Sequence, residues 1–248
     1  MSVTANDIVF YASSNMPQDD ASIAGGTINS GLRVEFNDIV ATDIVEVLSD
    51  NAGDVQNVTI VGRDSAGVIQ SDTFALSGLT LVSGVQSFER ILTVTIDSVA
   101  TGLITLRDAI GNTGLGSIAT GESGFLRPFY DATANSFGGA DKVFYEKIFL
   151  KNNNATTALL STTLTEVASG IYTLVQFGLE KSPQYIESIA NRLAVPTGVT
   201  SYGSGASGIP NTNLGPLDYQ GVWLQLTADD GTVAQNSFYQ LNVQGNTT

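Results

Sequence analysis

The chain has 248 residues, no cysteine, no histidine and a net charge of −14. Those counts exclude disulfides, Cys/His zinc sites, and Ser-His-Asp or Cys-His catalysis. Hydrophobic residues make up 42% and charged residues 14%, which suits a buried core in one large β domain or two small ones rather than a disordered chain. The acids are uneven: residues 1–60 hold nine (Asp7, Asp19, Asp20, Glu35, Asp38, Asp43, Glu46, Asp50, Asp54) against the base Arg33. An acidic surface repels phosphate backbones, so nucleic acid is not an expected partner. No basic leader with an apolar run opens the sequence, and no stretch approaches ~20 apolar residues, so neither a signal peptide nor a membrane span is expected. The sequons at Asn57, Asn154 and Asn246 then read as chance matches.

In chain order, Ile8-Val9-Phe10-Tyr11 is the first strand candidate, followed by the polar stretch Ser13–Asp20 and Gly25-Gly26. A series of short strand candidates follows: Leu32–Phe36, Ile44–Leu48, Val58–Val61, Ser71–Leu76, Ile91–Ile96 and Gly102–Arg107. In the fifth, Leu92, Val94 and Ile96 alternate with Thr93, Thr95 and Asp97, the period of a half-buried strand. Between Val58–Val61 and Ser71–Leu76 sits Asp64-Ser65-Ala66-Gly67. Aspartate bonds back to turn backbone and glycine takes positive φ, so this reads as a hairpin. The spacing predicts a small antiparallel sandwich. Gly111–Gly116 and Gly138-Gly139 are loop signals, and 111–141 reads as a domain junction.

A second β series covers Lys142–Lys151, Ala158–Leu164, Gly170–Gly178, Val222–Thr227 and Phe238–Val243, with a turn at Asp229–Thr232. Ser182 as cap, Pro183 at the first helical position, and Ile186, Ile189, Ala190 and Leu193 at spacings of three and four predict one short helix over 183–193. Thr197–Pro216 reads as a long uncharged loop, of the kind that is mobile or makes contacts. Trp223 reads as core packing rather than a ligand platform.

Little chemistry is on offer. Gly203-Ser204-Gly205-Ala206-Ser207-Gly208 has the spacing of a dinucleotide turn, but Ile209-Pro210-Asn211 cannot open the helix that would hold a pyrophosphate. The acid pairs Asp19/Asp20, Asp50/Asp54 and Asp229/Asp230 each fall in a turn, where aspartate serves local bonding. Ser49–Asp54 and Asp229–Thr232 offer oxygens, yet neither matches an EF-hand loop.

Two sets of residues carry a resemblance. Asn57–Ile69, then Phe74–Gly78, Val82-Ser83-Gly84 and Ser87-Phe88-Glu89-Arg90, resemble an Ig-like β-sandwich module of tailed-bacteriophage virion proteins. Asp7–Tyr11 with Gly25-Gly26, Tyr145–Asn152, Ile189-Ala190-Asn191 with Pro196–Val199, Val222-Trp223-Leu224 and Leu241–Thr247 resemble a second phage structural pattern. The resemblance implies a mainly β protein: two antiparallel sandwiches, one of them Ig-like and inserted over 31–110. Residues 1–30 plus 111–248 would form the other. Two consecutive domains with a free N-terminal arm are the alternative.

It also implies a virion building block with no catalytic, cofactor or metal site. A capsid decoration (cement) protein that stabilises the head is expected first, bound to the major capsid protein or other virion proteins and homo-oligomeric, with a trimer favoured. A tail, neck or baseplate component is the alternative, and a carbohydrate-binding module for host surfaces a further one. The residues expected to meet a partner are Val3, Ile8, Phe10, Tyr11, Met16, Asp19 and Asp20 in the arm, and Tyr202, Ile209, Leu214 and Leu217 in the long loop.

Overall fold

A computed structural model describes residues 2–17, 19–39, 41–129, 141–169, 173–181, 186–199, 201–228 and 239–247. Its strands are β1 (Ile8–Asn15), β2 (Ala24–Val34), β3 (Asp43–Ser49), β4 (Asn57–Arg63), β5 (Ile69–Ala75), β6 (Val82–Phe88), β7 (Arg90–Ile96), β8 (Ile104–Asp108), β9 (Gly114–Ile118), β10 (Gly124–Leu126), β11 (Lys142–Asn152), β12 (Leu160–Ser169), β13 (Thr173–Leu179), β14 (Ser188–Ile189), β15 (Ser207–Gly208), β16 (Tyr219–Ala228) and β17 (Tyr239–Asn246). The helical content among the described residues is one 3-10 turn, Ala5–Asp7, closed by Thr4 and Asp7 bonding to each other's backbone. The protein is a mainly β, antiparallel sandwich fold.

The chain divides into two compact units, Met1–Asn29 with Phe129–Thr248, and Ser30–Pro128. The second is a sandwich of β2-β10-β7-β4-β5 and β6-β3-β8-β9. Strict alternation builds it: Asp43, Val45, Val47 and Ser49 of β3 are buried, while Ile44, Glu46 and Leu48 are half-exposed. Val45 and Val47 meet Val58, Ile60, Phe74, Val94, Ile104, Leu106 and Phe125 in one core. Burying each such side chain is worth about 1.5–3 kcal/mol. The hairpin turn forms as its residues predict. The Asp64 carboxylate accepts from the Ala66 and Val68 amides at 2.9 Å, and Gly67 sits at φ +76°.

Residues 114–118 and 124–126, which the sequence reading placed in a junction, are strands of this unit. β9 pairs with β8, and β10 lies between β2, in parallel, and β7. The glycines that signalled a loop mark close approaches instead. A Cβ on Gly116 would meet the Phe125 ring, and one on Gly124 the Val94 carbonyl.

Side chains close the outer strands. Asp72 of β5 accepts from the Val85 and Gln86 amides of β6 at 2.8 and 3.0 Å, and the Gln70 side chain donates to the Ser87 carbonyl. On β9, Arg127 donates to the Leu115 carbonyl at 3.4 Å, and the Glu35 carboxylate accepts from the Ser117 amide. A bare edge invites another strand, so these bonds guard the two edges. Asp72→Ala is expected to cost about 1–2 kcal/mol and to increase self-association. Thermal melts and sedimentation velocity check this, and an unchanged sedimentation profile would remove the protective role.

The first unit pairs a large sheet, β13-β16-β11-β1-β2 with β14 on β2, against a small one, β15-β12-β17. β1 pairs with β11 from Ile8↔Asn152 to Ala12↔Ile148, so Ile8–Tyr11 is an interior strand. The helix expected over 183–193 does not form where the structure describes it, and residues 182–185 lie outside the described residues. Ser188 and Ile189 pair with Gly25 and Ala24 instead. Of the apolar positions that suggested a helical face, only Ile189 is buried; Ile186 and Leu193 stay exposed at 61% and 41%. Glu187 bonds the Thr197 and Gly198 amides at 2.7 and 2.8 Å, which ties the segment to the following loop.

The long loop over 197–216, read as mobile or contact-making, makes contacts: it covers two strand edges. Gly203 exchanges both backbone bonds with Phe177 of β13 at 3.0 and 3.1 Å, and Lys181 bonds Gly198. Along β12 and the residue before it, Leu159 exchanges bonds with Leu214, Thr162 bonds Thr212 and Ile209, and Glu166 bonds Ser204. An uncharged Gly/Ser/Asn composition suits backbone used this way. The turn expected at Asp229–Thr232 lies outside the described residues.

Candidate functional site

Two consecutive charges, Glu146 and Lys147, sit within the apolar strand β11, and both are buried. Alternation sends them to opposite faces of the sheet. Lys147 shares its face with its cross-strand partner Trp223. Its ammonium lies 2.6 Å from Glu180 Oε1, donates to the Gly26 carbonyl at 3.0 Å, and sits 4.7 Å from the Phe149 ring centroid and 5.8 Å from that of Trp223. Trp223 Nε1 donates to the same Glu180 oxygen at 3.2 Å. Gln220 donates to the Glu180 and Gly221 carbonyls at 3.0 and 2.9 Å. Glycine is required on both flanks. Gly25 and Gly26 hold φ values of +96° and +94°, and a Cβ on Gly25 would meet the Trp223 ring, while one on Gly221 would strike the Glu180 carboxylate.

On the other face Glu146 accepts from the Phe129 amide at 2.8 Å and lies 3.8 Å from Arg192. Arg192 stacks over the Phe144 ring at 5.0 Å and bonds Asp20 through Nε and a terminal nitrogen at 3.0 and 2.7 Å. Lys142 reaches Asp20 as well, at 3.4 Å.

Burial dominates the electrostatics. It pushes Glu146 up to about 8 and Glu180 up to about 7, and it lowers Lys147. Perturbed groups of this kind often mark active sites. Here Lys147 and Glu180 have no exposed surface, and their bonds run to the fold itself, so no substrate reaches them.

A pH dependence follows. A carboxyl whose folded pKa is raised binds its proton more tightly when folded, so stability falls as pH rises from the unfolded value near 4.5 to about 8 for Glu146. Aspartates held low by local donors, such as Asp54, Asp97 and Asp7, act the other way: their stabilisation is lost as pH falls below the ordinary aspartate value of 3.8. Stability should therefore peak near pH 5, and the melting temperature should fall by on the order of 5 °C by pH 8.5. Net charge gives the same sign, so Glu146→Gln is the control. It should flatten the slope between pH 5 and 8.5, and an unaltered slope would remove Glu146 as its source.

The residues expected to bind a partner take varied places. Val3, Tyr11, Ile209 and Leu214 are buried, at 8%, 4%, 4% and 1% exposure. Ile8, Phe10, Met16, Asp20 and Tyr202 are half-buried, Asp19 is exposed, and Leu217 is 54% exposed. Asp20 is bound to Arg192, and Tyr202 stacks on Tyr145 at 5.6 Å, so neither stands free. The structure brings Val3, Ile8 and Phe10 together. They line a cleft of about 820 Å³ with Leu159 just before β12, Ser161 and Thr163 within it, Leu241, Val243 and residues 244–246 of β17, and Thr247 just after it. Sequence reasoning missed the β17 side, although Leu241 and Val243 alternate with Asn242 and Gln244. It also missed the buried charges, whose one signal was the Glu146-Lys147 pair in an apolar run.

The loop weighed for calcium has another use. Asp54 is fully buried, and its carboxylate accepts from the Ser49 hydroxyl at 2.6 Å and the Thr101 and Gly102 amides at 2.9 and 3.0 Å. Both oxygens are committed to the fold. Trp223 has no exposed surface, which removes it as a sugar-stacking platform.

No family model matches the chain, and neither does any curated protein. Among solved structures, the VP2 subviral particle of infectious bursal disease virus is 12% identical, with 98% of this chain and 72% of that one covered and a TM-score of 0.16. The B domain of a biofilm-associated protein is 11% identical, over 88% and 71%, with a TM-score of 0.17. Similarity that distant carries no argument about fold or function.

Proposed function

We propose that the chain is a structural building block of a bacteriophage virion, acting as a decoration protein on the head. The observation that supports this best is how its reactive groups are spent. Glu146, Lys147, Glu180, Arg192, Asp54 and Asp72 each bond to the chain's own backbone or to one another, as fixings of a rigid scaffold. The resemblance of the hairpin and of Tyr145–Asn152 to phage sandwich modules points the same way. In this reading the partner is the major capsid protein, the assembly is a homo-oligomer with a trimer favoured, and no reaction is catalysed. The acidic stretch over residues 1–60 suits a basic capsid face. Immunogold labelling of intact particles tests it. Label over the head is expected; label over the tail would replace the head role with a tail, neck or baseplate one, and unlabelled particles would overturn the virion role.

A further inference from the structure

We propose that Lys147 and Glu180 join in an amide bond, an internal cross-link that the folded chain makes on itself. The topology brings the two side chains together. Lys147 lies on β11 and Glu180 directly follows β13, the two strands that flank β16. Gly221 of β16 leaves room between them, since a Cβ there would strike the Glu180 carboxylate. The Lys147 ammonium is 2.6 Å from Glu180 Oε1, and neither side chain has exposed surface. At ordinary hydrogen-bond angles this places Nζ about 3–3.5 Å from Cδ, the separation from which bonds form.

Amide formation needs a neutral amine and a neutral acid. Burial among the Phe149 and Trp223 rings disfavours both charges, pushing Glu180 up to about 7 and lowering Lys147. One proton passes from the ammonium to the carboxylate, and the Nζ lone pair attacks Cδ. Charge that builds on Oε1 during the attack is held by the Trp223 Nε1–H, which donates to that oxygen at 3.2 Å. Oε2 has no hydrogen-bond partner among the described residues. It takes two of the three ammonium protons and leaves as water, as the Cδ–Oε2 bond breaks and the Nζ–Cδ bond remains. The third proton stays on the amide nitrogen, where it can still donate to the Gly26 carbonyl, 3.0 Å from Nζ. No other reactant is needed. The amide is uncharged, so closure removes two buried charges whose desolvation the ion pair barely offsets. The ion pair is the folded chain before closure.

The neighbouring acids do not share this geometry. Both Glu187 oxygens are held by the Thr197 and Gly198 amides. Glu146 faces Arg192, whose guanidinium keeps its proton and is no nucleophile. The inference is independent of a virion role, since it needs only the folded first unit.

Mass spectrometry of the full chain, held folded at neutral pH and then denatured, tests it. The mass should fall below the sequence mass by one water, increasingly with time. Tryptic digestion should leave the chain uncut after Lys147 and yield a branched peptide joining Lys147 to Glu180. Chain kept in urea should hold its full mass, as should Lys147→Arg and the double variant Lys147→Met, Glu180→Leu. A succinimide at Asp230-Gly231 would lose the same water, and the branched peptide separates the two. The parent chain decides the matter even where a variant folds poorly. Full sequence mass throughout, a water loss that persists in Lys147→Arg, or one that maps to any other pair of residues would overturn the proposal.

Discussion

Glu180→Ala is expected to remove about 3–5 kcal/mol from the stability of the first unit. The substitution removes the carboxylate that lies 2.6 Å from the Lys147 ammonium, a group with no exposed surface beside the Phe149 and Trp223 rings. The Trp223 indole loses its acceptor as well. An uncompensated buried charge is far costlier than the pair is stabilising, because the pair itself nearly offsets its own desolvation. The double variant Lys147→Met, Glu180→Leu should therefore recover most of the loss. Urea unfolding followed by tryptophan fluorescence is a suitable measurement, since Trp223 is the one tryptophan and lies in this unit. A single variant within 1 kcal/mol of the parent, or a double variant no better than the single, would contradict the mechanism.

Asp54→Ala should cost the second unit about 3 kcal/mol, because a hydroxyl and two amides lose their acceptor in a site closed to water. Asp54 also accepts from the Gly78 amide through its carbonyl at 2.9 Å, a bond the substitution keeps. The loss is thus confined to the side chain. Hydrogen exchange over residues 45–58 and 100–106 should accelerate, while the Trp223 transition stays in place. A shift of that transition equal to the loss in the second unit would show that the two unfold together. Unaltered exchange around Thr101 would show that Asp54 contributes little.

The β content was legible because it rests on local rules. Alternation in Leu92–Ile96 and the Asp64–Gly67 turn chemistry depend on neighbours within a few residues. Where the reading failed, distant contacts decided. Gly114 and Gly116 look like loop glycines until Phe125 is seen packing on one of them. Ile186, Ile189 and Leu193 have helical spacing, yet pairing with Ala24 and Gly25, more than 160 residues away, outweighed it. The buried ions were hidden for the same reason. Nothing near Lys147 in the sequence indicates Glu180 or the Gly26 carbonyl. The candidate site was half visible: Val3, Ile8 and Phe10 were singled out for their place at the front of the chain, but the β17 wall opposite them comes from its far end.

The pairing of β1 with β11 also sets an order of events during synthesis. Ile8 cannot meet Asn152 until 144 further residues have been made, roughly 7–30 s at translation rates of about 5–20 residues per second. Residues 30–128 form a contiguous unit that is complete before β11 begins. It can condense first, and once compact it shortens the effective loop that β1 must close. Until then Ile8, Phe10 and Tyr11 wait without their partner strand. That interval is when the nascent chain is most open to misassociation, and a ribosome pausing within residues 130–141 would prolong it.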